Sequence, residues 1–413
     1  MSSETVLYII IGILSFDFIL DQLLDYMNLK HQKATLPDSL KDIYDEEKYE
    51  KAQDYYKTNA RFDLITSTFS FILVLVLFSS GALGWLDGLL RIYFENSIVL
   101  ALSFFAVLFI VSELLNLPFS IYRIFVIEER FGFNKMTAKT YVTDKLKGYL
   151  IAFILGGILL SLFLYLILNI GSNFWFWFWL TIVVFMLLMN MFYTSLILPL
   201  YNKLTPLPDG ELRRQIQEYA KSVHFPVQNL FVIDGSKRSS KSNAFFSGIG
   251  KKKKIVLFDT LIENHTEEEL VAVLAHEVGH FKKKHVISGM VLSIVQMGLM
   301  LFILSLFVFN PTLSRALGSE TMSIHLNLIA FAVLYTPISH ITGIFMNIFS
   351  RKNEYEADRY AAETYKAEPL KDALKKLSIN NLSNLTPHPA YVFVHYSHPP
   401  LVQRLEHLNK FKK

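Results

Sequence analysis

The chain has 413 residues, 52% of them hydrophobic and only 18% charged, with 35 Phe and no Cys. Soluble domains carry about a quarter charged residues, and here residues 148–202, 285–314 and 321–350 contain no Asp, Glu, Lys or Arg at all, which excludes a soluble globular protein. The formal charge of +4 is too small to indicate nucleic-acid binding, and without cysteine there is no disulfide framework, thiolate nucleophile or Cys-ligated metal.

A bilayer core of about 30 Å needs roughly 20 apolar helical residues. In chain order, seven candidate spans lie near residues 5–20, 64–83, 97–117, 148–170, 174–200, 286–309 and 324–349. Asp17 interrupts the first and Asp21 follows it. A cleaved signal peptide is the competing reading there, but no Lys or Arg precedes the run and no small-residue cleavage site follows. Asp17, Asp21 and Glu113 either face a protein interior or snorkel from span ends, and the sequence leaves both open. The run FWFWFW at 174–179 reads as an interfacial aromatic belt rather than a ligand cage. The Met-rich stretch 186–191 reads as packing or lipid-facing filler.

Nearly all 40 Lys and Arg fall after spans one, three and five and in the C-terminal tail. The loops after spans two and six hold one each, Arg91 and Arg315. The positive-inside rule then places the N-terminus outside and the C-terminus in the cytoplasm, which requires an odd number of spans. The expected organisation is residues 1–200 as spans one to five with their loops, 201–285 as a cytoplasmic catalytic region, 286–350 as spans six and seven, and 351–413 as a C-terminal helical region.

Between spans five and six the sequence turns ordinary. Residues 209–223 have helical spacing, 229–232, 242–246 and 255–258 read as short strands, and 248–254 reads as a basic hairpin turn. A helix is predicted from Thr266, where Thr266 to Glu269 form a capping box with acidic residues at the positive helix end. It carries His276-Glu277-Val278-Gly279-His280. Two histidines four apart share a helical face and can hold one Zn²⁺. Glu277, next to the first ligand, is placed to take a proton from a water at the metal.

Topology limits where a third ligand can come from. Spans six and seven form an antiparallel hairpin, so the residues after 349 return to the level of the HExxH helix. His280 and Glu354 each lie about 8–9 Å of helix from the membrane end of their span. In NEYEADRYA (353–361), Glu354 and Asp358 share a face. Glu354 is the expected carboxylate ligand, with Glu356 or a merely solvated acidic face as rivals, and Asp358 would accept the second N–H of a ligating histidine.

Through these and several further segments the chain resembles the zinc-dependent CAAX prenyl protease family of membrane metallopeptidases. The resemblance runs through VIEERFGFNKMT (126–137), PLYNKLTPLPDG (199–210), DGSKRSSKSNAFFSG (234–248), IVLFDTL (255–261), HEVGH, NEYEAD and YSHPPLVQRL (396–405). It implies a mainly α fold of seven transmembrane helices enclosing a water-filled chamber, with a zincin-like α+β region. It implies one Zn²⁺ held by His276, His280 and Glu354, with Glu277 as general base. Asp358 matches an acidic residue described as a proton donor, although orientation of a ligand is our preferred role. Asn243 matches the segment that binds substrate backbone, and 242–246 would be an edge strand that an extended peptide can join. His398 and Arg404 match residues suited to stabilising an oxyanion.

Lys241 stands where eukaryotic members typically have His, and Phe281 where they often have Trp. With the short 261–267 connection and the absence of Cys, these departures favour a bacterial member, hence the bacterial inner membrane; in a eukaryote the endoplasmic reticulum membrane is expected. The expected activity is removal of the last three residues of prenylated CAAX proteins or peptides by a monomer that binds no nucleic acid. The alternatives are a quality-control protease cutting unlipidated membrane proteins, and a chambered transporter with structural zinc.

Because the chain lacks native Cys, topology has a clean test. A single cysteine introduced at Lys252 should react with an impermeant maleimide only from the cytoplasmic side; labelling only from outside would invert the orientation.

Overall fold

The computed structural model describes residues 1–32, 41, 45–226, 229–247 and 254–411. Apart from Lys254, the basic turn expected at 248–254 lies outside them. The chain opens with α1 (Ser3–Lys30), α2 (Glu46–Ser79), the short α3 (Ala82–Arg91) and α4 (Ser97–Tyr122). It continues through α5 (Ala138–Ile151), α6 (Gly157–Ile170) and α7 (Phe174–Phe192).

Among the described residues, 6 helical stretches are long and apolar enough to cross a membrane. One of them, the 64-residue stretch Ala138–Tyr201, reverses at Gly171–Asn173, where Gly171 adopts φ +68°. Its arms pack together through Phe163, whose ring lies 5.6 Å from Phe174 and 4.3 Å from Phe178. The expected seven spans count those arms separately. Only 11–22% of each apolar window is fully buried, with further partly buried residues such as Leu14, Val74, Trp179 and Met297 packing between helices.

The FWFWFW run has two faces rather than one role. Phe174 and Phe178 are buried in the bundle and Trp179 Nε1 donates to the Ile294 carbonyl at 2.8 Å, whereas Phe176 and Trp177 face outward. Two of the three acidic groups near the spans are paired, and the third only approaches a histidine, its Oδ1 buried without a hydrogen bond. Asp17 pairs with His340, Glu113 pairs with Lys145, and Asp21 lies 3.8 Å from His395. A cavity of about 350 Å³ beside α1 and α2 is lined by Asp17, Asp21, Asp25 and Asp63. At the other end of the bundle, buried Asp87 of α3 accepts from Arg91, Ser319, Ser323 and His325, which ties that helix to the loop preceding the last span.

After α8 (Leu198–Tyr201) come β1 (Leu204–Pro206), α9 (Glu211–Ser222), β2 (Leu230–Ile233), β3 (Ala244–Ser247) and β4 (Lys254–Phe258). The sheet order is β1-β2-β4-β3, with β2 and β4 parallel and the outer pairs antiparallel. Ala244 pairs with Leu257 and Phe245 with Val256, leaving β3 at the sheet edge. β1 is too short to carry an alternating pattern, and Pro206 at its end has no N–H to donate to the ladder. Two resemblance segments prove to be neighbours here. Residues 126–137 meet 234–248 through the Asn134–Ser239 bridge and the Lys241–Glu128 ion pair at 2.9 Å.

After α10 (Asp259–Asn264), α11 (Glu267–Lys282) carries the HExxH motif. Its capping box is formed: Glu269 N donates to Thr266 Oγ1 at 3.3 Å and Thr266 N donates to Glu269 Oε2 at 3.0 Å. α11 is buried almost all round, by Leu270, Val271, Leu274, Ala275 and Val278, as a central helix must be. Two residues past its end Lys284 is held at φ +61°, and the chain turns directly into α12 (His285–Phe307).

Past α13 (Pro311–Ala316), α14 (Ile324–Thr364) is one helix of 41 residues. At 1.5 Å per residue it is about 60 Å long, roughly twice the bilayer core. It runs unbroken through the expected boundary at 350/351 and carries NEYEAD beyond the membrane. The fold closes with α15 (Ala367–Asn380), α16 (Pro389–His395) and α17 (Leu401–Leu408).

The crossing of α11 over α14 depends on Gly279. A Cβ there would sit 3.0 Å from Ala357 Cα and 3.1 Å from both its carbonyl oxygen and Tyr360 Cβ. Gly279→Val should therefore cost about 1–3 kcal/mol, read as a lower thermal unfolding midpoint in detergent together with reduced metal content. An unchanged midpoint with full metal would show that this contact does not set the crossing.

Candidate active site

The crossing brings together side chains separated by more than seventy positions in the chain. His276 and His280, one turn apart on α11, aim Nε2 atoms at each other from 3.1 Å. Glu354 of α14 faces both, with Oε2 3.5 Å from His276 Nε2 and Oε1 3.2 Å from His280 Nε2. These three form a group whose ligand atoms all lie within 4.8 Å of one another. Glu354 Oε2 is buried and accepts no hydrogen bond. His276 Nδ1 lies 2.8 Å from Asp358 Oδ1; the carboxylate can only accept, so Nδ1 carries the proton and Nε2 is left as a bare lone pair. A bare imidazole nitrogen converging with an unpartnered carboxylate oxygen suits a divalent cation, and the residues fit a metal.

Asp358 is fully buried, and its charge is matched by Arg404 of α17. Arg404 Nε and Nη2 donate to the two Asp358 oxygens at 2.8 and 2.6 Å, a two-pronged pair. Its remaining nitrogen, Nη1, lies 3.4 Å from Glu354 Oε2. Burial works against the Arg404 charge, but Asp358 more than offsets it and holds the guanidinium protonated. Glu277 has no hydrogen-bond partner among the described residues, and burial pushes its carboxyl above the ordinary value against the pull of His276 and His280. His398 precedes α17, is largely exposed, and reaches Glu354 Oε1 at 3.4 Å.

A cavity of about 180 Å³ collects these groups. Asn243, His276, Glu277, Glu354, His398 and Arg404 all line it, along with Leu residues of α10 and α15. Asn243 is exposed at the start of the β3 edge, its backbone oxygen accepting from Phe258 N at 3.2 Å. Six of the eight residues picked out from the sequence thus line one space, and the other two, His280 and Asp358, lie against its lining residues Glu354 and His276. The rival ligand Glu356 points elsewhere, to His285 at 3.2 Å.

Several supporting residues escaped sequence reasoning. Asn347 Nδ2 donates to Val394 O at 2.6 Å, while Arg351 Nη1 donates to Val392 O at 3.0 Å and also to Tyr396 O. Together they dock the His398 loop on α14. Asn381 brackets Ser242 through both backbone groups, at 3.2 and 3.4 Å, steadying the approach to β3. Each is a polar residue hydrogen-bonded to distant backbone, which leaves no periodic mark on a sequence.

Comparison with known families matches residues 25–203 to "CAAX prenyl protease N-terminal, five membrane helices" and residues 206–412 to "Peptidase family M48". The chain belongs to the M48 family of CAAX prenyl proteases. It is 36% identical over 409 residues to a CAAX prenyl protease 1 homolog of Arabidopsis thaliana, covering 96% of each chain. It is 34% identical to CAAX prenyl protease 1 of Saccharomyces cerevisiae, covering 92% of this chain and 90% of that protein. The crystal structure of S. mikatae Ste24p superposes with a TM-score of 0.92 at 33% identity, covering 98% and 99% of the two chains. The M48 member described here is therefore a multi-pass membrane metalloprotease acting on peptide bonds with a metal cofactor. That membership replaces the transporter alternative.

Proposed function

We propose that this M48 protease uses one Zn²⁺ held by His276, His280 and Glu354, and that it removes the C-terminal tripeptide of prenylated CAAX proteins or peptides. The observation that carries the first part is the convergence of three ligand atoms within 4.8 Å. Two imidazole nitrogens and one carboxylate are the donor set of catalytic zinc sites, which keep a position open for water or substrate. The second part rests on near full-length similarity to proteins named CAAX prenyl protease 1.

When bound, zinc supplies Lewis-acid polarisation of the scissile carbonyl and acidifies a water molecule. Glu277, lining the same cavity, takes the proton of the attacking water and returns it to the leaving amine nitrogen. An extended substrate joins the free edge of β3, where Asn243 offers a polar side chain to its backbone. Asp358 holds His276 in the tautomer that leaves Nε2 free, and Arg404 keeps Asp358 ionised. His398 and Arg404, whose Nη1 lies 3.4 Å from Glu354 Oε2, line the space where oxyanion charge develops.

The Lys and Arg distribution supports a cytoplasmic-side site, and Lys241, Phe281 and the lack of Cys support a bacterial inner membrane over endoplasmic reticulum. We read the protein as a monomer without nucleic-acid partners. The domain limits follow the sequence reading, with α14 shared by the last two regions.

Purified protein should cleave a farnesylated CAAX peptide, with product masses showing loss of the last three residues. Equal cleavage of the unlipidated peptide would favour a quality-control protease instead. Glu277→Gln should retain zinc and lose activity by about 10²–10⁴-fold; unchanged hydrolysis would refute the mechanism.

A further inference from the structure

His285 and Glu356 belong to neither the ligand set nor the cavity lining, and both lie next to the metal site. His285 is the first residue of α12, only 7% exposed. Its Nε2 lies 3.2 Å from Glu356 Oε2 on α14, and its Nδ1 lies 3.1 Å from His280 Nδ1. Donor and acceptor roles along this chain follow from one end. The Glu356 carboxylate can only accept, so His285 Nε2 carries a proton and donates it. The neutral His285 ring then has a lone pair at Nδ1, and His280 Nδ1–H is what can donate to it. His280 is thereby left with its lone pair on Nε2, the atom 3.1 Å from His276 Nε2 and 3.2 Å from Glu354 Oε1.

We propose that His285 and Glu356 are positioning residues for the second metal-ligating histidine. Through Nδ1 they hold His280 in the tautomer and ring orientation that the metal requires. The arrangement parallels Asp358 at His276, where a carboxylate 2.8 Å from Nδ1 does the same directly. Metal-bound histidines generally donate their other N–H to a carboxylate, carbonyl or water; here an imidazole is interposed between ligand and carboxylate. The geometry of the turn explains the difference. Lys284 at φ +61° swings the chain so that the first side chain of α12 fills the space beside His280. Glu356, two residues past the ligand Glu354, leaves the ligand face of α14 and reaches that ring. The same pair ties α12 to α14 at the level of the site. A tie alone would affect stability without changing metal affinity.

This inference rests on the metal reading of His276, His280 and Glu354, and the test separates the two. Zinc stoichiometry and release to a competing chelator are measured on full-length protein in detergent, with the unfolding midpoint of the metal-free form as a check on folding. Wild type should hold one zinc and His276→Ala none. A wild type holding no zinc overturns the metal reading and this proposal with it. His285→Phe keeps the ring volume without its nitrogens and should weaken zinc binding about 10- to 100-fold. Glu356→Leu, at a side chain 41% exposed, should shift affinity the same way with little effect on folding. His285→Gln can accept from His280 and donate to Glu356, and should recover most of the affinity. Wild-type affinity in both His285→Phe and Glu356→Leu overturns the proposal while leaving the metal site intact. A His285→Gln protein as weak as His285→Phe overturns it too.

Discussion

Everything chemical in this protein depends on how closely α11 approaches α14. Gly279 meets Ala357 at the crossing, and neither backbone could come as near with larger side chains between them. The approach places His276 and His280 opposite Glu354 and Asp358. In the HExxH motif the intervening positions carry no chemical requirement, yet here one of them sets the distance between the two halves of the site. The sheet, α9 and α15 wrap α11 on its other faces, so the motif helix has little freedom to shift. α14 is equally constrained, since its first half belongs to the membrane bundle.

Charge is scarce in this chain, and where it is buried it is paired. Asp358 and Arg404 neutralise each other at two-pronged distance, and Glu354 lies between Arg404 and two imidazoles. Burying such groups singly would cost several kcal/mol each; as a network they impose fixed geometry on the ligands. Glu277 is the exception, a half-buried carboxyl group without a hydrogen-bond partner among the described residues. A group left unpaired in that setting is available to exchange a proton, which is what a general base needs. The same economy appears at the far end of the bundle, where Asp87 gathers four donors.

Much of this was legible in the sequence because it rested on period and length. Uncharged runs long enough to span a bilayer, a capping box before HExxH, and two residues four apart in NEYEAD each have a regular physical signature. Equal helical distances from the ends of spans six and seven were enough to bring Glu354 to His280. What could not be read depends on neighbours. Spacing alone left Glu356 as a rival ligand because it shares a segment with Glu354, and only the position of His285 decides where it points. The aromatic run at 174–179 looked uniform, but Phe174 and Phe178 face the bundle while Phe176 and Trp177 face outward. The return of charge at Arg351 marks the end of the apolar run but not the end of α14, since a helix needs no break to leave the bilayer. Polar residues such as Asn347, Arg351 and Asn381 act on backbone far away in the chain and leave no local pattern.

The central claim is that one metal ion sits at the crossing, held by one pair of histidines from α11 and one carboxylate from α14. The most direct measurement is a diffraction experiment on crystals of the zinc-loaded protein, with anomalous data collected on both sides of the zinc absorption edge. One anomalous peak bonded to His276 Nε2, His280 Nε2 and the Glu354 carboxylate is the predicted result. A peak on other residues, or zinc-loaded crystals with no peak between α11 and α14, would contradict it.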